Sequence, residues 1–137
     1  MGVCGEIKDM YLILIYVTTV CCNSYDMRSS GLTVIPSTIP GNTTTIDLSN
    51  NSIALISNGD FSYLETIYTI KIATNQIVHI ERNAFLGLEN SLQSVFLGDN
   101  QLQSIDNQFT SLQNLEKLYL IRNNISHISS VCKLDRN

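Results

Sequence analysis

The chain has 137 residues, a length that suits one domain. Only 15% are charged, with 12 acidic against 8 basic residues and a net charge of −4. An acidic chain without a basic run argues against a nucleic-acid partner.

The first feature in chain order is an apolar run, Tyr11 to Val20, which reads YLILIYVTTV and is followed by Cys21, Cys22, Asn23 and Ser24. It is too short to span a bilayer, which takes about 20 residues. It suits the apolar core of a secretory signal peptide over residues 1–21, with Thr19 and Cys21 at the small-residue positions before cleavage. The preceding Glu6, Lys8 and Asp9 lack the usual positive excess, and a buried N-terminal strand is the alternative. No later stretch is long and apolar enough for a membrane anchor. Next, over residues 22–42, comes a segment containing Gly31-Leu32-Thr33-Val34-Ile35-Pro36 and Ser37-Thr38-Ile39-Pro40. Its two prolines stiffen the backbone and remove two N–H donors, which suits the open end of a sheet; an ordinary proline loop is the alternative.

From residue 43 one apolar frame recurs, headed by Asn51, Asn75, Asn100 and Asn123 at spacings of 24, 25 and 23 residues. Ile46-Asp47-Leu48, Ile70-Lys71-Ile72, Val95-Phe96-Leu97 and Leu118-Tyr119-Leu120 precede the asparagines. Ile53 and Ile56, Ile77 and Ile80, Leu102 and Ile105, and Ile125 and Ile128 follow them. The first three units continue to Phe61, Phe85 and Phe109, then Leu64, Leu88 and Leu112. The units run 43–66, 67–91, 92–114 and 115–137, the last incomplete. Alternation before each asparagine has a period of two, which predicts short strands near 45–49, 69–73, 94–98 and 117–121 rather than amphipathic helices. A recurring asparagine can hydrogen-bond the backbone where each strand ends, and stacked units would make a ladder of such amides. One unit cannot bury its apolar face alone, so the units must stack.

This frame resembles L-x-x-L-x-L-x-x-N-x-L of the leucine-rich repeat family, and Gly31 to Pro40 resembles the N-terminal cap of its extracellular members. The resemblance covers residues 31 to 128. It implies an α/β leucine-rich repeat fold, a right-handed solenoid with one curved parallel sheet on the concave side and irregular or short-helix segments on the convex side. Such caps usually carry four cysteines in two disulfides. Here the cysteines are Cys4, Cys21, Cys22 and Cys132, Met27 stands where the last cap cysteine is expected, and adjacent cysteines bridge poorly. No intact cap framework is expected. After Ile128 no cysteine-rich C-terminal cap follows, and the fourth unit lacks its phenylalanine and closing leucine. A solenoid end needs a polar sealing unit. The pattern reads as a fragment of a longer protein, or as a short form that self-associates through the edge of Leu118, Leu120, Ile125 and Ile128.

No catalytic constellation, cofactor loop or metal-ligand spacing is present in the sequence. His79 and His127 hold the same unit position two units apart, roughly 10 Å at the stacking distance of strands, too far to share one metal. Asp47 and Lys71 fall on neighbouring outward positions and are candidates for a weak surface pair. The outward columns of the sheet read Thr45, Thr69, Ser94, Lys117; then Asp47, Lys71, Phe96, Tyr119; then Ser49, Ala73, Gly98, Ile121. Phe96, Tyr119 and Ile121, with Lys117 and Arg122 beside them, form a candidate partner-binding patch, because grouped outward aromatics and arginine often anchor interfaces. The alternative is that Phe96 and Tyr119 only pack on each other. Asn42, Asn50 and Asn124 open glycosylation sequons. The expected function is non-catalytic recognition of a protein ligand through the concave sheet, by a secreted protein or a receptor ectodomain piece. A matrix protein of the proteoglycan kind binding a matrix component, and an intracellular scaffold, are the alternatives. The expected location is extracellular.

Overall fold

The computed structural model describes residues 23–129. The signal-like segment, all four cysteines and the tail after Ser129 lie outside the described residues.

A parallel sheet of five short strands forms the concave side: β1 (Ser24–Asp26), β2 (Thr45–Asp47), β4 (Thr69–Lys71), β6 (Ser94–Phe96) and β8 (Lys117–Tyr119), in that spatial order. Ile46, Ile70 and Val95 point inward and are fully buried, while their neighbours face out, as strand alternation requires. Four of these strands were expected; β1 was not. It arises because the cap runs through the same frame as the repeats. Tyr25 pairs with Ile46, Met27 N–H donates to Asp47 O at 2.9 Å, and Tyr25, Met27 and Leu32 pack on the core. Met27, at the expected cysteine position, thus serves as an inward residue of a turn that precedes the first repeat. Tyr63 fastens that turn from the other side, its hydroxyl donating to Pro36 O at 3.4 Å.

The core is a stack of equivalent side chains. Phe61, Phe85 and Phe109 form a spine, with centroids 5.9 and 5.2 Å apart. Ile67 and Leu92, eight residues before their asparagines, are fully buried. In the first repeat that position is Thr43, also buried, whose carbonyl accepts from the Thr66 hydroxyl at 3.3 Å. At the carboxy-terminal end the layer is less sealed. Leu118, Leu120 and Ile125 are only partly buried and Ile128 is 58% exposed.

The convex side is more regular than expected in one respect. It carries two-residue strands, β3 (Leu55–Ile56) beside β5 (His79–Ile80), and β7 (Ser104–Ile105) beside β9 (His127–Ile128), in two separate pairs. The break between the pairs has a local cause. Glu81 N–H donates to Ile56 O and Ser129 N–H to Ile105 O, bridging neighbouring turns directly. At the equivalent place in the third repeat, Asp106 N–H donates to Gln108 Oε1 at 2.7 Å, and Gln108 Nε2 donates to Ile80 O at 3.1 Å. One buried side-chain amide is inserted between two backbones that elsewhere meet directly, and β5 and β7 do not pair with each other.

Candidate functional site

Each turn ends its concave strand in the same way. The residue before the asparagine is left-handed: Asn50, Thr74, Asp99 and Arg122 have φ of 60°, 54°, 55° and 54°. This reverses the chain and aims the next side chain inward. Asn75 Nδ2 then donates to Leu48 O of the preceding turn at 3.0 Å and to Ile72 O of its own at 3.3 Å, while its Oδ1 accepts from Ile53 N–H at 3.0 Å. Asn100 repeats this with Ile72, Leu97 and Ile77. Asn51 bonds Met27, Leu48 and Leu32, and Asn123 bonds Leu97, Leu120 and Leu102. Asn75 and Asn100 are buried; Asn51 and Asn123 are half-buried. These amides fix the register on which the outward columns depend.

The register places those columns side by side. Thr45, Thr69, Ser94 and Lys117 are successive partners, as are Asp47, Lys71, Phe96 and Tyr119. Phe96 and Tyr119 stack with centroids 4.5 Å apart and planes within 7°. They do pack on each other, with Phe96 half-buried, yet Tyr119 stays 46% exposed and the neighbouring Ile121 63%. Gly98 supports the patch. A Cβ there would lie 3.1 Å from Ile121 Cγ2, so any side chain at this position would require the Ile121 methyl to shift by a few tenths of an ångström.

Charge divides the face. At the cap end Arg28 clasps Asp26, with Nη2 to Oδ2 at 2.7 Å, and lies 3.9 Å from Asp47. Hydrogen bonds from Arg28 hold the Asp26 carboxyl below the usual range. Asp47 therefore faces Arg28, and the expected pairing with Lys71 gives way to it. At the other end the Arg122 guanidinium grips Asp99 through Nε and Nη2, and that hydrogen bonding lowers the Asp99 carboxyl. Arg122 is thus engaged within the chain. Lys117 is exposed and Lys71 half-buried, and neither makes an ion pair among the described residues.

Sequence reasoning placed Lys71 next to Phe96 in the second outward column, as the register bears out, but left it out of the patch, and it missed the contact of Gly98 with Ile121. A glycine next to Ile121 in the third outward column was the available signal. The other flagged residues lie apart from the patch. His79 and His127 are exposed on β5 and β9, where they pair with Leu55 and Ser104. No group of three or more His, Cys, Asp or Glu is placed to hold a metal among the described residues. No helix among them is long and apolar enough to cross a membrane. Asn42, Asn50 and Asn124 are all exposed, and Asn50 Nδ2 donates to Ser29 Oγ at 2.7 Å.

Comparison with known proteins agrees with this architecture. A family model described as leucine rich repeat matches residues 41–102 and 65–125. Leucine-rich repeat-containing protein 3B of Homo sapiens is 31% identical over 99 residues, 72% of this chain and 38% of that protein. Toll-like receptor 13 of Mus musculus is 36% identical over 82 residues, 60% of this chain and 8% of the receptor. The fold superposes on the crystal structure of a TLR13–ssRNA13 complex with a TM-score of 0.71 at 32% identity, covering 75% of this chain and 15% of that one. The chain therefore spans well under two thirds of the length of these relatives.

Proposed function

The chain belongs to the leucine-rich repeat family, and from that premise we propose that it is a non-catalytic protein-recognition module acting outside the cell, as a secreted protein or as part of a receptor ectodomain. The observation that carries the reading is the open Phe96–Tyr119 stack beside Ile121 on a concave face that is otherwise polar. Covering it with a partner removes apolar surface from water at about 25 cal/mol per Å². Aromatic side chains at the centre of such a patch commonly carry most of an interface's energy. Lys117 adds charge at the rim. Arg122, held by Asp99, adds a fixed guanidinium and contributes by shape and orientation. The solved relative is a complex with single-stranded RNA; here the cap end of the face carries Asp26 and Asp47, which favours a protein over a polyanion.

The test is a screen of the full chain against arrayed extracellular proteins, matrix components included, with a Phe96→Ala/Tyr119→Ala variant in parallel. A binder that is retained by the wild type and lost by the variant supports the reading. A matrix component as that binder would favour the proteoglycan-like alternative. Binding that ignores the double substitution refutes the site. The location is tested separately by expressing the chain with its own N-terminus. Export, loss of residues up to about Cys21, and a glycosidase-sensitive mobility from Asn42, Asn50 or Asn124 are expected. A cytosolic, unprocessed product would favour the scaffold reading.

A further inference from the structure

The patch has a charge pattern that narrows its partner, an inference that rests on the recognition reading above. Lys71 stands beside Phe96 in the second outward column, one strand before it. Lys117 stands in the first column on β8, beside Ser94 and one strand beyond Phe96. The two lysines therefore lie diagonally across three strands, and the line between them passes between Ser94 and Phe96, along the near edge of the stack. With strands about 4.8 Å apart and a two-residue column offset, their Cα atoms are separated by roughly 12 Å. Among the nearby carboxylates, Asp99 is gripped by Arg122 and Asp26 is clasped by Arg28, which lies 3.9 Å from Asp47; Asp47 is the register neighbour of Lys71 and makes no ion pair with it. Between the lysines the face is small and neutral, with Thr69 and Ser94 half-buried in the first column beside Phe96. Backbone of a partner could approach closely there.

We propose that the patch takes an extended acidic polypeptide segment that presents an apolar side chain with a carboxylate two residues to either side. Alternate residues of an extended chain face the same way, so positions i, i+2 and i+4 share one face and span roughly 13 Å. That span matches the lysine separation and puts the central apolar side chain beside Phe96, at the near edge of the stack. The same lysines could contact phosphates with a base on the aromatic pair. Two unpaired cations beside acidic cap residues are few for that purpose, since polyanion binding scales with the number of phosphates neutralised.

The experiment is selection of a random decapeptide display library on the immobilised full chain, on a Lys71→Glu/Lys117→Glu variant, and on Phe96→Ala/Tyr119→Ala, with single-stranded oligouridine as competitor. The wild type should enrich acidic-x-apolar-x-acidic peptides. Peptides so selected should lose at least tenfold in affinity on the charge-reversed variant, weaken steeply with added salt, and resist oligouridine. No enrichment, enrichment without flanking acids, or the same peptides from both proteins would overturn the proposal. Displacement by oligouridine at low concentration would overturn it in favour of RNA. The aromatic variant separates the two levels. If it loses binding while the lysine variant keeps it, the recognition patch stands and the acidic partner falls. If neither variant loses binding, both fall.

Discussion

The two ends of the concave face are built on the same scaffold and do opposite things with it. At the cap end, β1 and β2 present Asp26 and Asp47, which face Arg28, alongside Ser24 and Thr45. At the far end, β6 and β8 present Phe96 and Tyr119, stacked and open, with Lys117 free beside them. Backbone, register and amide ladder are alike at both ends. A repeat scaffold fixes where an outward side chain stands and leaves its chemistry free, so function is read from departures within a column rather than from the columns themselves.

The largest expected effect strikes what the ends share. Asn75→Ala and Asn100→Ala each remove a buried amide that serves backbone groups of two turns, and each should destabilise by about 1–3 kcal/mol in thermal or denaturant unfolding. Asn124→Ala, one residue past the ladder and exposed, should be nearly neutral. Equal losses at all three positions would contradict the register.

A smaller effect separates left-handed positions that are compensated from one that is not. Arg122 gains an ion pair with Asp99 from its conformation, and Asn50 a hydrogen bond to Ser29. Thr74, β-branched and exposed at φ 54°, has no such return. Thr74→Asn should stabilise by roughly 1 kcal/mol, since asparagine tolerates this region better. A lower melting temperature would show that the Thr74 side chain has a role of its own.

The smallest effect is in acid. Asp26 and Asp99 have folded values below the ordinary 3.8, each held down chiefly by its arginine. Their contribution is present above pH 3.8 and is lost as pH falls through the lowered values. Asp60 has the opposite sign. Burial raises its carboxyl, so a penalty develops as pH rises from 3.8 through the raised value. Asp60→Asn should therefore raise the melting temperature at pH 7 and change it less at pH 3, whereas Asp99→Asn should lower it slightly at pH 7 only. Both pairs with arginine are exposed, so shifts of a degree or two are the most expected.

Much of the fold was legible because period-two alternation and a fixed asparagine leave few alternatives. Ile46, Ile70 and Val95 are buried where the alternation put them. The cap strand was not legible, because Tyr25, Met27 and Ser30 share the frame's spacing but not its residue types. Nor was the convex break at Gln108. A glutamine just before a core phenylalanine gives no sign in sequence that its amide will replace a backbone bond between turns. The patch residues were readable from their outward parity. Parity and the repeat spacing also put Lys71 beside Phe96, as the register has it; what they could not supply was the engagement of Arg122 by Asp99, which depends on side-chain reach between turns.

The most direct test of the account is calorimetry on any partner found, with Phe96→Ala and Tyr119→Ala set against Thr45→Ala and Ser49→Ala. All four should remain folded, as unfolding curves would verify. The aromatic pair should each cost roughly 1–3 kcal/mol of binding and the polar pair little. Loss at Thr45 and Ser49 with silence at Phe96 and Tyr119 would contradict it, and the aromatic stack would then be only a cross-strand contact.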